Sequence, residues 1–235
     1  MENMDNMNNY ENDNLQNWQE QQKAPSYQGE LSRGKYNVLI GVHLLYGLAL
    51  TAFLCVKLPY LFPQLYSVHP VVFTLGFFAI CLVGGWIARS GNYLLSIIGY
   101  TMTVMGFGTL LSLTVIFYPV HLVILAAVLT FTVVLTMTVA AVFMPNAFLS
   151  MGKVLFISLI GLVVAELVSF FLGMYYPNLF AVIGIFIFSL YVGYDWARGQ
   201  QYPTTPSFAC YTALQLYMDI INLFVRILRL MGRRR

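Results

Sequence analysis

From residue 36 onward the chain is a succession of seven apolar stretches, at roughly 36–57, 70–88, 93–117, 120–143, 151–175, 178–197 and 208–230. Each is close to the ~20 residues that an α-helix needs to cross ~30 Å of hydrocarbon. In hydrocarbon the backbone must satisfy its own hydrogen bonds, so stretches of this kind fold as helices. The links are short and hold turn formers: Pro59 and Pro63, Ser90-Gly91-Asn92, Tyr118-Pro119, Pro145-Asn146, Tyr176-Pro177, and the run from Pro203 to Ser207. The pattern predicts an all-α, polytopic integral membrane protein with seven transmembrane helices. Composition agrees, since 59% of the 235 residues are hydrophobic and 9% are charged, against about 25% charged in a soluble domain. A soluble chain this short has too little interior to hide so much apolar surface.

Residues 1–31 are different. They are rich in Asn, Gln, Glu and Asp, with almost no aliphatic side chains. Such a segment buries too little apolar area to offset chain entropy, so a disordered polar tail is expected, followed by a membrane domain over 32–235. It lacks a basic stretch leading into a short apolar one, so it does not read as a signal peptide, and the first hydrophobic helix is expected to do the targeting. This tail holds six of the nine acidic residues: Glu2, Asp5, Glu11, Asp13, Glu20 and Glu30. The other three, Glu166, Asp195 and Asp219, each lie within or at the end of an apolar segment. A charge at the centre of such a segment costs roughly 2.5–3.5 kcal/mol on insertion scales, which makes these three the first candidates for function.

Basic residues orient the bundle. Lys23, Arg33 and Lys35 precede segment one, Arg89 ends segment two, Lys153 follows segment four and Arg198 follows segment six. The opposite links offer only Lys57. This asymmetry predicts a cytoplasmic N-terminus. Seven full crossings then leave Arg226, Arg229 and the cluster Arg233, Arg234 and Arg235 on the far side, against the rule. Segment seven is expected to span, with a re-entrant element as the alternative. The arginines are otherwise scattered at segment ends, so no nucleic-acid partner is expected, and the terminal cluster reads as an anchor at anionic headgroups. The lipid bilayer is the expected partner of the whole domain.

The stretch from Ser207 to Arg226, which opens segment seven, is the most informative. Its polar residues Tyr211, Gln215, Asp219, Asn222 and Arg226 are spaced 4, 4, 3 and 4 apart, which places them in one stripe along a helix. In lipid such a stripe turns toward the bundle interior or a water-filled path. The plainer reading is interhelical hydrogen-bonding glue, about 1 kcal/mol per contact. Asp195 ends segment six and has Arg198 at i+3, so a weak local ion pair would account for it alone. Its interest comes from Asp219, which follows from the same connecting loop. Two carboxylates brought together away from water cannot easily both ionise and titrate as a unit. They also offer hard oxygen ligands to Ca²⁺. Glu166, deep in segment five, could be a second ion ligand, a proton relay or a protonated hydrogen-bonder. Arg89 reads first as a topology anchor.

The remaining candidates carry less. Cys55, Cys81 and Cys210 form no metal or redox spacing and read as small core residues. His43, His69 and His121 are separated by whole segments and read as interfacial or satisfied histidines. Gly84-Gly85 and the Gly106/Gly108 pair read as close helix packing. No nucleotide-binding or hydrolase motif is present, so no cofactor and no enzyme activity are expected.

At Phe188-Ser-Leu-Tyr-Val-Gly-Tyr-Asp195 and at Leu214-Gln-Leu-Tyr-Met-Asp219-Ile-Ile-Asn-Leu-Phe-Val-Arg-Ile-Leu-Arg229, the chain resembles the Bax inhibitor-1 family (the transmembrane Bax inhibitor motif proteins) in its bacterial branch. These runs are similar to the family's Tyr-Asp motif and its Leu-Tyr-x-Asp-x-Ile-Asn-Leu-Phe run ending in Arg. Phe148-Leu-Ser-Met-Gly and Leu159-Ile-Gly-Leu resemble its middle region. The resemblance implies six helices around a central segment seven, in a bacterial plasma membrane, and a proton-regulated Ca²⁺ leak. Asp195 and Asp219 would be the pH sensor and transient calcium ligands. Arg89 would be the latch of the closed state. Glu166, Gln215, Asn222 and Arg226 are, from their own placement in the apolar segments, the candidates for lining an ion pathway. Segment two carries no acidic residue, where some relatives have one, and the Asn-rich tail lies outside the family pattern.

An ion leak, with calcium as the permeant ion, is therefore the expected function. The alternative is an interaction module that regulates membrane-protein partners such as proteases or stress-response proteins, for which the long tail is the sequence support. An intramembrane aspartyl protease would need a Gly-x-Gly-Asp context, which Gly193-Tyr-Asp195 does not supply.

Overall fold

The computed structural model describes residues 29–62, 70–174 and 176–232. Most of the expected disordered tail, His69, and the terminal arginines Arg233, Arg234 and Arg235 lie outside the described residues. Of the first of two units, Met1–Glu30, only Gly29 and Glu30 are described; the second, Leu31–Arg235, is built of helices. In chain order these are α1 (Arg33–Leu61), α2 (Pro70–Ala88), α3 (Tyr93–Val115), α4 (Val120–Phe143), α5 (Pro145–Ser150), α6 (Gly152–Phe171), α7 (Pro177–Gly199) and α8 (Pro206–Met231). No strand occurs among the described residues. Six helices, α1, α3, α4, α6, α7 and α8, are long and apolar enough to cross a membrane, and within α2 the described apolar stretch is Ala79–Ala88.

The helix starts follow from local chemistry. Ser32, Asn92 and Thr205 cap α1, α3 and α8, with side-chain oxygens accepting from the amides of Lys35, Leu94 and Phe208. Proline stands in the first turn of α5, α7 and α8, where its missing N–H has no helical partner to lose. Gly91, at φ +79°, makes the tight turn between α2 and α3, a conformation that a side chain resists. Two details differ from the sequence reading. Pro59 is not a link residue, because α1 runs through it to Leu61; a proline one turn from a helix end leaves few backbone groups to be satisfied elsewhere. The Pro145-Asn146 link is itself the short helix α5.

The last helix is the centre of the bundle. It packs against α1, α2, α3, α4 and α7, while α6 packs on α7 and α5. In α8 67% of the spanning window is buried, against 11% in α4 and in α6. Valine, leucine and phenylalanine side chains cover the outward faces of those two helices, as a lipid-facing surface requires. The core joins Tyr36 and Ile40 of α1, Tyr100 and Val104 of α3, Val192 of α7 and Leu214 and Tyr217 of α8, all 1% exposed or less. Its hydroxyls are satisfied: Tyr217 meets Thr51 Oγ1 at 2.6 Å and Tyr100 donates to the His43 carbonyl at 2.6 Å. His43 itself hydrogen-bonds the Leu39 carbonyl through Nδ1, so it is a satisfied histidine. Gly84, Gly106 and Gly108 bring neighbouring helices into close contact, as expected, whereas Gly85 faces open space. The three cysteines are free, with Cys81 and Cys210 buried and Cys55 half-buried.

Contacts at one end fix the relation of first and last helices. The Leu31 amide donates to the Thr204 carbonyl at 2.7 Å, and Tyr36 donates from its hydroxyl to the Gly199 carbonyl at 2.9 Å. The starts of α1 and α8 and the end of α7 therefore share one end of the bundle. From there α8 runs unbroken for 26 residues, about 39 Å at 1.5 Å per residue, with no reversal of the re-entrant kind.

Candidate ion site between the last two helices

The register of the α7–α8 hairpin is set where Gly199 faces Thr212, a position at which any Cβ would collide with the threonine side chain. Asp195 lies four residues back along α7 from that contact, and Asp219 seven residues on along α8. Those spacings bring the two carboxyl groups together, each within electrostatic reach of the other. Both residues are 6% exposed. Asp219 Oδ2 is buried with no hydrogen-bond partner, and so is Gln215 Oε1 one turn earlier on the same helix. Buried polar atoms in native folds are nearly always paired, so two orphaned oxygens on one face call for a proton, water or a cation.

Tyr191 and Arg198 are charge neighbours of the pair. Tyr191, one turn before Asp195, feels both carboxylates. Arg198 is the cation that acts on Asp195. Its guanidinium is held between the rings of Tyr194 and Tyr202, 5.8 and 5.9 Å from their centroids. Arg89 is exposed, just past the end of α2, and faces the first turns of α8 at Ser207, Phe208 and Tyr211. Among the described residues it forms no ion pair with either aspartate. From Phe208 to Asp219 is eleven residues, about 16 Å along the helix.

The rest of the polar stripe divides. Asn222 is half-buried and donates from Nδ2 to the Met218 carbonyl of its own helix at 2.8 Å. Arg226 is buried and donates from Nη1 to Glu166 Oε1 at 2.7 Å and to the Phe180 carbonyl at 3.0 Å. It also lies 5.4 Å from the Phe188 ring centroid. It reaches Glu166 by passing over Gly184 of α7, where a side chain would collide with the guanidinium stem. Glu166 and Arg226 stand sixty residues apart in the sequence, with no spacing that pairs them. The available signal was two opposite charges in apolar segments with no other partner in reach. Tyr191 sits inside the Phe188–Asp195 run with nothing to set it apart there, and the gap at Gly184 carries no pattern of its own.

The family model described as inhibitor of apoptosis-promoting Bax1 matches residues 32–235. An uncharacterised protein of Helicobacter pylori is 37% identical over 100 residues, 41% of this chain and 41% of that protein. Inner membrane protein YbhL of Escherichia coli is 38% identical over 95 residues, 36% of this chain and 40% of that one. An uncharacterised membrane protein of Streptococcus pyogenes is 31% identical over 136 residues, covering 54% and 58%. The matches thus span about half the length of these curated relatives.

Proposed function

The chain belongs to the Bax inhibitor-1 family, and from that premise we propose that it is a pH-sensitive calcium leak: a bundle of seven crossings in a bacterial plasma membrane, N-terminus in the cytoplasm, gated by Asp195 and Asp219. It is an ion pathway and not an enzyme. The observation that carries this reading is the buried carboxyl pair with an unpartnered oxygen on Asp219 and a second on Gln215.

In the closed state Asp195 and Asp219 share one proton, which removes the repulsion between them. When that proton leaves, two negative charges stand in a poorly solvated site. The helices separate, or a cation enters to compensate. Ca²⁺ suits the second outcome because it accepts flexible oxygen coordination from carboxylates, amide oxygens and carbonyls. Gln215 and Asn222 continue the polar face along α8, and Glu166 with Arg226 closes it at the far end. Arg89 latches the closed state where it faces the first turns of α8 at Ser207, Phe208 and Tyr211, and among the described residues it has no ion pair to either aspartate.

The test is Ca²⁺ flux into proteoliposomes of purified full-length protein across a pH series. Flux that rises as pH passes upward through the pair's titration is expected. Flux absent at every pH, in protein shown to be folded and inserted, would remove the leak assignment.

A further inference from the structure

A second charged feature lies outside the carboxyl pair, where α5 and the start of α6 meet the last turns of α7. Two ring-on-glycine contacts build it. The Phe148 ring of α5 occupies the space left at Gly193, where any Cβ would collide with it. The Tyr194 ring lies on Gly152, where a Cβ would stand 2.7 Å from the tyrosine hydroxyl. These contacts fix α5 and α6 to α7 and leave a groove between them. Lys153 and Arg198 supply its charge, Leu149 and Phe156 its apolar walls, and Ser150 and Tyr194 its hydroxyls.

Among the described residues, no acidic side chain lines the groove. Lys153 is exposed and half-buried Arg198 has, among the described residues, no hydrogen-bond acceptor for its guanidinium. The rings of Tyr194 and Tyr202 hold that guanidinium in place without neutralising it. The groups whose charge reaches it are Tyr194, Tyr202 and Tyr211 and the buried Asp195, which belongs to the carboxyl pair. The groove also opens on the first turn of α6, where the helix dipole favours an anion. Below it an apolar stripe runs along α6: Phe156, Ile160, Val163 and Leu167, between 45% and 60% exposed. Their spacing of 4, 3 and 4 residues puts them in one row about 16 Å long.

Two cations at a helix end with an apolar track leading into the bilayer fit one ligand chemistry. We propose that this groove binds an anionic phospholipid, its phosphate between Lys153 and Arg198 and an acyl chain along the Phe156–Leu167 row. Basic pockets between transmembrane helices recognise anionic headgroups in this way. A zwitterionic lipid carries its own cation beside the phosphate and gains less from the pair. The assignment does not depend on ion conduction.

The test is native mass spectrometry of the full chain in neutral detergent, titrated with phosphatidylglycerol or phosphatidylcholine. Lys153→Gln, Arg198→Gln and their combination are compared with wild type, with Lys57→Gln at the opposite end as control. Thermal unfolding establishes that each variant is folded, and Lys153→Gln alone decides the question if Arg198→Gln is not. One phosphatidylglycerol is expected to be retained in preference to phosphatidylcholine. Each neutralised cation should weaken it about five-fold, Lys153→Arg should retain it, and Lys57→Gln should change nothing. Equal retention of both lipids, or unchanged phosphatidylglycerol binding in the double variant, would overturn the site. Displacement of the lipid by inorganic phosphate would overturn the lipid assignment in favour of a soluble anion.

Discussion

Arg226 of α8 and Glu166 of α6 form an ion pair, 2.7 Å from Nη1 to Oε1, across a gap that exists because position 184 of α7 is glycine. The pair lies seven residues beyond Asp219 on the same helix, about 10 Å along its axis. It joins α6, which packs on α7 and α5, to the central helix. Each ion also removes the cost that the other would incur alone among apolar side chains.

Removing one partner should therefore be worse than removing both. With side chains 11% and 23% exposed, Glu166→Gln is expected to destabilise the protein by about 1–3 kcal/mol, less than a fully buried pair would lose. Glu166→Gln combined with Arg226→Met should recover part of that loss, giving a non-additive double-mutant cycle in thermal unfolding. Gly184→Leu should mimic the single break, since its side chain occupies the path of the guanidinium. Strict additivity would mean that the pair is a surface contact of no energetic weight.

Arg89 makes a separate prediction. If it acts as the latch, Arg89→Ala raises the resting Ca²⁺ leak without lowering the amount of folded protein. Arg89 is exposed and unpaired with the aspartates, so its loss leaves no buried charge behind and folding should be indifferent to it. An unchanged leak would leave Arg89 as a topology anchor.

The helices were readable because lipid imposes one rule on every crossing: about twenty apolar residues closed by caps and turns. Pro177 and Pro206, link residues by their sequence pattern, stand in the first turns of α7 and α8, one or two residues before the expected starts. Asp195 and Asp219 could be suspected from cost alone, and the register set by Gly199 and Thr212 then brings them together. The Glu166–Arg226 partnership spans sixty residues and depends on a single missing side chain at Gly184, so no local periodicity encodes it. The same holds for Arg198. Its i+3 relation to Asp195 was legible, but its seat between Tyr194 and Tyr202 depends on how the α7–α8 loop folds back.

The amino-terminal boundary can be tested by two deletions. Leu31 ties to the Thr204 carbonyl and Ser32 caps α1, so removal of residues 1–28 keeps both contacts and removal of 1–32 loses both. The shorter deletion is expected to leave insertion and flux intact, and the longer to lower thermal stability by about 1 kcal/mol, the usual worth of a cap. Loss of flux in well-inserted protein lacking 1–28 would shift weight to a partner-binding role for that segment.

The carboxyl pair carries the functional claim, and its prediction has a definite sign. With one proton shared, Asp195 and Asp219 are held together; above the titration of the pair both are ionised and repel. Leak should therefore increase as pH rises, and Ca²⁺ should compete with protons for the same oxygens. Asp195→Asn and Asp219→Asn keep the shape and much of the hydrogen bonding but cannot titrate. Each is expected to flatten the dependence of flux on pH, and the double variant should do little more than the worse single one, because coupled groups do not contribute independently. Gln215→Leu removes the second unpartnered oxygen on α8 without touching the titration. It should lower Ca²⁺ conductance while leaving the pH midpoint in place. If the aspartates serve only as interhelical glue, the Asn variants lower folded yield and whatever flux survives keeps its pH dependence. Full pH-dependent flux in the double variant would end the sensor assignment.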